Sequence, residues 1–225
     1  MVAIYLDGAD LETLARLEPL IDGVTTNPSL MRKAGITRYR DFAREVLAIT
    51  QKPVSFEVLA DDVPTMERQA KEIAQWGDNV HVKIPIQRTN GDHNYSLISD
   101  LVMAGVKVNV TAVFTMRQLD NLALGLYEPA IVSIFAGRIA DTYTDPAVAF
   151  TFHKWIGPRK SKSKSLWASC REVYNIAQAD AAGADIITVS PAIFEKYHAL
   201  KGKDLLEYSR ETVAEFFNDA KGIEL

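Results

Sequence analysis

Lys83 is the residue best suited to do chemistry. It lies in Val80-His81-Val82-Lys83-Ile84-Pro85, and the alternation of a strand sets Val80, Val82 and Ile84 on one face and His81, Lys83 and Pro85 on the other. On the inside of a barrel such a lysine is desolvated. Burial favours the uncharged amine, the nucleophilic form that makes a Schiff base with a ketone or aldehyde. The competing reading is a strand-end lysine whose stem crosses apolar surface and whose ammonium stays in water. Imine chemistry on a sugar needs two further functions. One group moves the substrate hydroxyl proton as the C–C bond breaks, and one, often through water, serves carbinolamine formation and hydrolysis. Asp7 and Glu57, near the ends of two other β-type runs, are the carboxylates available; their alternative roles are a turn cap and an exposed strand end. Arg138 and Arg171 follow later runs, and a guanidinium fork suits a phosphate. Ser133 and Ser169 add hydroxyl donors, while surface ion pairs are the alternative use of the arginines.

These residues need a frame. β-type runs at 3–7, 22–26, 53–59, 79–85, 106–114, 130–135, 165–169 and 185–190 alternate with helical stretches. The helices are expected at 11–20 (capped by Asp10, ended by Pro19), 38–50, 63–76 (with Gly77 as C-cap), 94–104, 115–125, 145–156 and 172–182, with two more at 191–199 and 203–219. Alternation of strand and helix implies an α/β protein with a parallel sheet. Eight such units close most simply into a single (β/α)₈ TIM barrel with extra C-terminal helices, one domain over residues 1–225. A doubly wound open sheet is the runner-up, but the first strand–helix turn, Leu6-Asp7-Gly8-Ala9-Asp10, lacks a dinucleotide fingerprint. In a barrel, functional groups gather at the C-terminal ends of strands. Those ends carry Asp7, Thr26 with Asn27, Glu57, Lys83, Asn109 with Thr111, Ser133 to Arg138, Ser169 with Arg171, and Ser190.

Composition excludes several alternatives. With 48% hydrophobic and 24% charged residues in 225, the chain has the balance of an ordinary globular protein. A formal charge of −4 argues against broad nucleic-acid binding. One cysteine, Cys170, and four scattered histidines give little basis for a metal site; Cys170 reads as a structural thiol. No apolar run approaches the about eighteen residues of a membrane helix, and the opening residues lack the basic region of a signal peptide, so a cytoplasmic enzyme is expected. The basic stretch 157–165, with Arg159, Lys160, Lys162 and Lys164, reads as a solvated loop or as an anion gate beside the late-strand arginines.

The motifs DGVTTNPSL (22–30), VHVKIP (80–85), VNVTAVF (108–114), SIFAGRI (133–139) and AGADIITV (182–189), with the opening YLDGAD, resemble those of the transaldolases, in particular the short subfamily that includes fructose-6-phosphate aldolase. The resemblance covers nearly the whole chain. It implies a (β/α)₈ barrel and class I aldolase chemistry with no metal or other cofactor. By position it implies that Lys83 forms the Schiff base, that Asp7 moves the hydroxyl proton, and that Glu57 with Thr111 positions and activates water. Thr26, Asn27 and Asn109 would hold the dihydroxyacetone unit, Ser133 would contact its hydroxyl, and Arg138, Ser169 and Arg171 would hold the terminal phosphate. Glu57 and Phe135 match the transaldolase-like pair, where fructose-6-phosphate aldolases tend to carry Gln and Tyr. Departures stand at Gly8, Ile134, 89–96, 157–165 and 167–175. The expectation is a transaldolase acting on sugar phosphates. The alternatives are an aldolase releasing free dihydroxyacetone, action on another anionic sugar, and a non-catalytic sugar-phosphate-binding barrel. The subfamily forms pentameric rings and decamers, and the apolar helix 203–219 suits packing on a neighbouring subunit, so a homo-oligomer is expected.

Overall fold

The computed structural model describes residues 1–123, 130–160 and 163–224, and their side chains except at 157–160. Its strands are β1 (Ala3–Asp7), β2 (Gly23–Thr25), β3 (Val54–Glu57), β4 (Val80–Pro85), β5 (Val108–Val113), β6 (Ile131–Ile134), β7 (Lys164–Trp167) and β8 (Ile186–Val189). They pair in that order, and β8 returns to β1 to close the barrel. Every pairing is parallel. The expected α/β barrel is therefore the fold, and the open sheet is excluded.

The helices are α1 (Leu11–Leu17), α2 (Pro28–Lys33), α3 (Tyr39–Ile49), α4 (Val63–Ala74), α5 (Tyr95–Met103), α6 (Met116–Ala123), α7 (Ala136–Ala140), α8 (Ala147–Lys160), α9 (Tyr174–Ala182), α10 (Pro191–Leu200) and α11 (Leu205–Asp219). Local chemistry starts many of them. Asp10, Asn27, Asp62, Ser190 and Asp204 each accept a backbone N–H in the first turn of the helix that follows; a cap of this kind is worth about 0.5–2 kcal/mol.

The alternation read at Lys83 holds around the ring. Val54, Phe56, Val80, Val82, Ile84, Val108, Val110, Val132, Ile134, Ile187 and Val189 belong to the large buried cluster between the sheet and its helices. A second, smaller cluster of Tyr5, Ile131, Leu166, Ala168 and Ile186 comes from the other face and fills the lower interior. Tyr5 lies flat over Gly23: a Cβ there would come within 2.6 Å of the ring. At the C-terminal ends of the strands the interior is polar, with Asp7, Lys83 and Asn109 among its side chains.

Some expectations are corrected. Gly77 is not the αL cap of α4. The helix ends at Ala74 with Gln75 in the right-handed region, where the Gln75 N–H bonds the Glu72 carbonyl and the Trp76 N–H the Ile73 carbonyl. Two short helices went unread: Asn27-Pro28 breaks β2 but also begins α2, with proline at a first-turn position where its missing N–H costs nothing, and α7 follows β6 directly. The described parts of the stretch 157–165 do not lie beside the late-strand arginines. α8 continues through Lys160, and Lys164 opens β7, so the end of α8 and the start of β7 lie toward the N-terminal mouth of the barrel, opposite the strand ends where Arg138 and Arg171 stand. Lys162 lies outside the described residues, as do the side chains of Arg159 and Lys160.

Candidate active site

Strand register brings the reactive groups together. Glu57 pairs with Lys83 and Lys83 with Asn109 across β3, β4 and β5, and Asp7 pairs with Thr25 across β1 and β2. These residues share the inner face near the strand ends. There they meet a cavity of about 550 Å³ whose lining includes Asp7, Thr25, Asn27, Glu57, Lys83, Thr111, Ser133, Phe135, Arg138, Ser169 and Arg171.

Lys83 is 6% exposed, which rules out the reading of a water-facing strand-end lysine. Its Nζ lies 3.0 Å from Glu57 Oε2 and donates to the Thr26 carbonyl at 2.8 Å. Asp7 accepts from Thr25 Oγ1 at 2.8 Å, and that hydroxyl lies 2.6 Å from Thr188 Oγ1. Burial pushes the Asp7 carboxyl above the ordinary carboxylate range. The Lys83 ammonium and the Thr25 hydroxyl pull it partly back, and Glu57 adds to the rise. A carboxyl so raised gives and takes a proton more readily near neutral pH than an exposed aspartate.

Asn109 is fully buried, donating to Ser55 Oγ at 3.0 Å and accepting from Ser133 Oγ at 2.7 Å. This chain of polar groups crosses β3, β5 and β6 and fixes the orientation of Ser133 at the cavity. Thr111 Oγ1 is buried and has no hydrogen-bond partner within the protein; a register shift between Val110 and Val113, with Ala112 at φ +59°, re-aims this end of β5. Asn27 spends its side-chain oxygen on the Leu30 N–H at 3.0 Å, which leaves its amide NH₂ as the donor group.

The opposite wall is built from loops and helix starts. The Arg138 guanidinium lies 5.5 Å from the centre of the Phe135 ring, and that ring lies 5.7 Å from Phe114. Arg171 pairs with Asp141. Ser169 is held at φ +64°, uncommon for a residue with a side chain. Its carbonyl sits where a Cβ on Gly137 would fall, at 1.6 Å, so only glycine lets α7 approach the end of β7. Cys170 lines the cavity as well, but burial pushes its thiol up to about 11, so it is no thiolate nucleophile at neutral pH.

The structure thus gathers Asp7, Asn27, Glu57, Lys83, Thr111, Ser133, Phe135, Arg138, Ser169 and Arg171 around one cavity. Asn109 stands beneath it, bonded to Ser133. Thr26 differs: its side chain is buried away from the cavity with an unpartnered hydroxyl, and its carbonyl is the group that faces Lys83. Thr25 and Thr188 line the cavity instead and were not singled out from sequence. Counting the alternation of β2 from Gly23 would have favoured Thr25, since residues two apart share a face. A second hollow of about 460 Å³ lies outside the barrel near Asp10, Arg38 and Asp41. Of its polar groups, Asp10 caps α1 and Asp41 pairs with Arg38 and Arg44.

Chemically, the cavity offers an amine flanked by one carboxylate, a second carboxylate across the floor with raised proton affinity, and two guanidinium groups on the far wall. That is a set for imine formation, proton transfer and anion binding.

Comparison with known proteins places the chain in a family. The family described as Transaldolase/Fructose-6-phosphate aldolase matches residues 4–224. A protein named "Probable transaldolase" from Hyphomonas neptunium is 34% identical over 226 aligned residues, covering 98% of this chain and 99% of its own. "Probable transaldolase 2" from Listeria monocytogenes is 31% identical over 206 residues, 89% of this chain and 91% of the relative. A "Probable transaldolase" from Dehalococcoides mccartyi is 35% identical over 193 residues, 83% and 85%. With a match along nearly its whole length and relatives at this identity, the chain belongs to the transaldolase/fructose-6-phosphate aldolase family.

Proposed function

We propose that the protein is a transaldolase, moving a dihydroxyacetone unit from a ketose phosphate to an aldose phosphate through a Schiff base at Lys83. The observation that carries this reading is the buried Lys83 Nζ within 3.0 Å of the Glu57 carboxylate at the floor of a polar cavity. The Lys83 amine adds to the ketose carbonyl and loses water to give the imine. Asp7 then accepts the proton of the substrate hydroxyl as the C–C bond breaks, and the electrons are received by the iminium. The enamine so formed attacks the aldehyde of the second sugar, Asp7 returns the proton to the new hydroxyl, and water hydrolyses the imine. Glu57 with Thr111 serves the water steps. Thr111 fits the task because its buried hydroxyl has no protein partner. Asn27 and Ser133 orient the three-carbon unit, and Arg138, Ser169 and Arg171 receive the phosphate. The transferase is favoured over release of free dihydroxyacetone by Glu57 and Phe135, which match the transaldolase-like pair.

The test is turnover of fructose 6-phosphate with and without an aldose phosphate acceptor, in the parent and in Lys83→Ala. Turnover that requires the acceptor, follows ping-pong kinetics and disappears in the variant is expected. Equal cleavage without acceptor would turn the reading to an aldolase, and full activity in Lys83→Ala would overturn the mechanism. The same reading extends to assembly. α11 buries none of its residues in this chain, and Leu205, Leu206, Val213, Phe216 and Phe217 stand on it at 63–83% exposure. A homo-oligomer, pentamer or decamer, in which α11 packs on a neighbour is therefore proposed; light scattering reporting a monomer would contradict it.

A further inference from the structure

We propose that the Tyr39 hydroxyl is a positioning group for the site: it makes the two backbone hydrogen bonds at Glu57 that β2 cannot make, and so leaves the Thr26 carbonyl to hold Lys83. This inference rests on the roles assigned above to Lys83 and Glu57.

The β2–β3 ladder advances regularly from Val24 N–H on the Pro53 carbonyl at 2.8 Å to Thr26 N–H on the Ser55 carbonyl at 3.2 Å. Its next two bonds would join the Glu57 N–H to the Thr26 carbonyl, and the Glu57 carbonyl to the amide of residue 28. Neither forms. Residue 28 is proline and has no N–H, and the Thr26 carbonyl accepts from Lys83 Nζ at 2.8 Å. The two orphaned groups of Glu57 turn instead to one side chain on α3, outside the barrel. The Glu57 N–H donates to Tyr39 Oη at 2.7 Å, and the same hydroxyl donates to the Glu57 carbonyl at 3.0 Å.

A hydroxyl suits this place because it has one donor and two acceptor positions. Burial pushes the phenol well above its ordinary range, with the Glu57 backbone bond opposing and the Glu57 charge adding to the rise, so it keeps the proton it donates. The ring is held independently, edge-on to Phe56 at 6.0 Å and to Trp76 at 5.2 Å. Glu57 is thereby fixed on both sides, by its register with Lys83 on β4 and by Tyr39 where β2 has ended. Without the hydroxyl, the Glu57 amide competes for the Thr26 carbonyl, and Lys83 loses the geometry of both oxygens that flank it.

Tyr39→Phe removes the hydroxyl and keeps the ring. Reductive methylation of Lys83 by formaldehyde and cyanoborohydride, followed by mass spectrometry across pH, reads the amine without requiring the natural sugar. The groups facing the amine are Glu57, Asp7 and the Thr26 carbonyl. With Glu57 and the carbonyl displaced, the profile is expected to move toward acid by about half a unit or more. With fructose 6-phosphate, kcat is expected to fall about ten- to a hundredfold with little change in KM. In a Glu57→Gln background the same substitution should cost less than in the parent, because the share that acts through the Glu57 carboxylate is already lost. An unmoved profile, an additive loss in the double variant, or a Tyr39→Phe chain that fails to fold would each overturn the proposal; the last would make the hydroxyl a structural support only. A shifted profile in a protein that turns over no sugar would leave Tyr39 in place and refute the aldolase reading instead.

Discussion

Lys83 and Glu57 on one side of the cavity, and Arg138 and Arg171 on the other, are held by different means. The first pair comes from adjacent strands in register, is largely withdrawn from water and lies 3.0 Å apart. Asp7 is tied in the same way to Thr25 and Thr188. The arginines stand on α7 and on the loop after β7, both exposed. Arg171 already has a partner in Asp141, and Ser169 between them needs a left-handed backbone. In the proposed reaction, bond making at Lys83 would tolerate little displacement, because reacting groups must meet within a fraction of an ångström. The proposed anion recognition at the far wall would tolerate more, since long side chains on loops adapt. Departures from the family pattern flank both sides, Gly8 beside Asp7 and 89–96 after the strand of Lys83 on the first, 134 and 167–175 on the second.

Asp7→Asn tests the rigid wall and has the largest expected effect. Loss of a positioned proton carrier should lower kcat by about 10²–10⁴-fold. The same change should stabilise the fold at neutral pH. The folded-state pKa of Asp7 is raised, so ionisation favours the unfolded chain: the penalty is absent below the unfolded value of about 3.9 and grows as pH rises from there through the folded value. Thermal melts of parent and variant should therefore converge below about pH 4 and diverge above it. A variant destabilised at pH 7 would break the comparison.

Arg171→Ala probes the adaptable wall. Losing a hydrogen bond between charged groups costs about 1.5–3 kcal/mol, which corresponds to roughly ten- to a hundredfold in KM for a phosphorylated sugar. An unphosphorylated ketose should be turned over as before. Equal losses for both substrates would show that Arg171 supports the reaction itself. Asp141→Asn has the smallest expected effect. It frees Arg171 from an exposed pair worth about 0–1 kcal/mol, so KM for the phosphorylated sugar should fall no more than a few-fold; a rise would mean that Asp141 orients the guanidinium rather than competing for it.

Legibility in the sequence divides along physical lines. The strands were readable because each is an apolar run between turn signals, and Lys83 because a lone amine in such a run has few uses. Thr26 was expected at the cavity where Thr25 stands, because a shift of one residue changes the face and two adjacent threonines give composition no means to decide. α2 was hidden because Asn27-Pro28 signals both a strand end and a helix start. The basic residues at 157–165 suggested a loop, yet α8 continues into them, and their end of the barrel follows from chain direction rather than charge. Tyr39 gave no signal at all, since its role depends on a proline eleven residues earlier that leaves the Glu57 carbonyl without a ladder partner and on Lys83 taking the Thr26 carbonyl.

The most direct test of Lys83 as the nucleophile is to incubate the protein with fructose 6-phosphate and borohydride and map the adduct by mass spectrometry. A reduced three-carbon adduct on Lys83 is expected, since cleavage leaves the dihydroxyacetone unit on the amine. An adduct on another lysine, or none with any ketose offered, would contradict the assignment of the chemistry to Lys83.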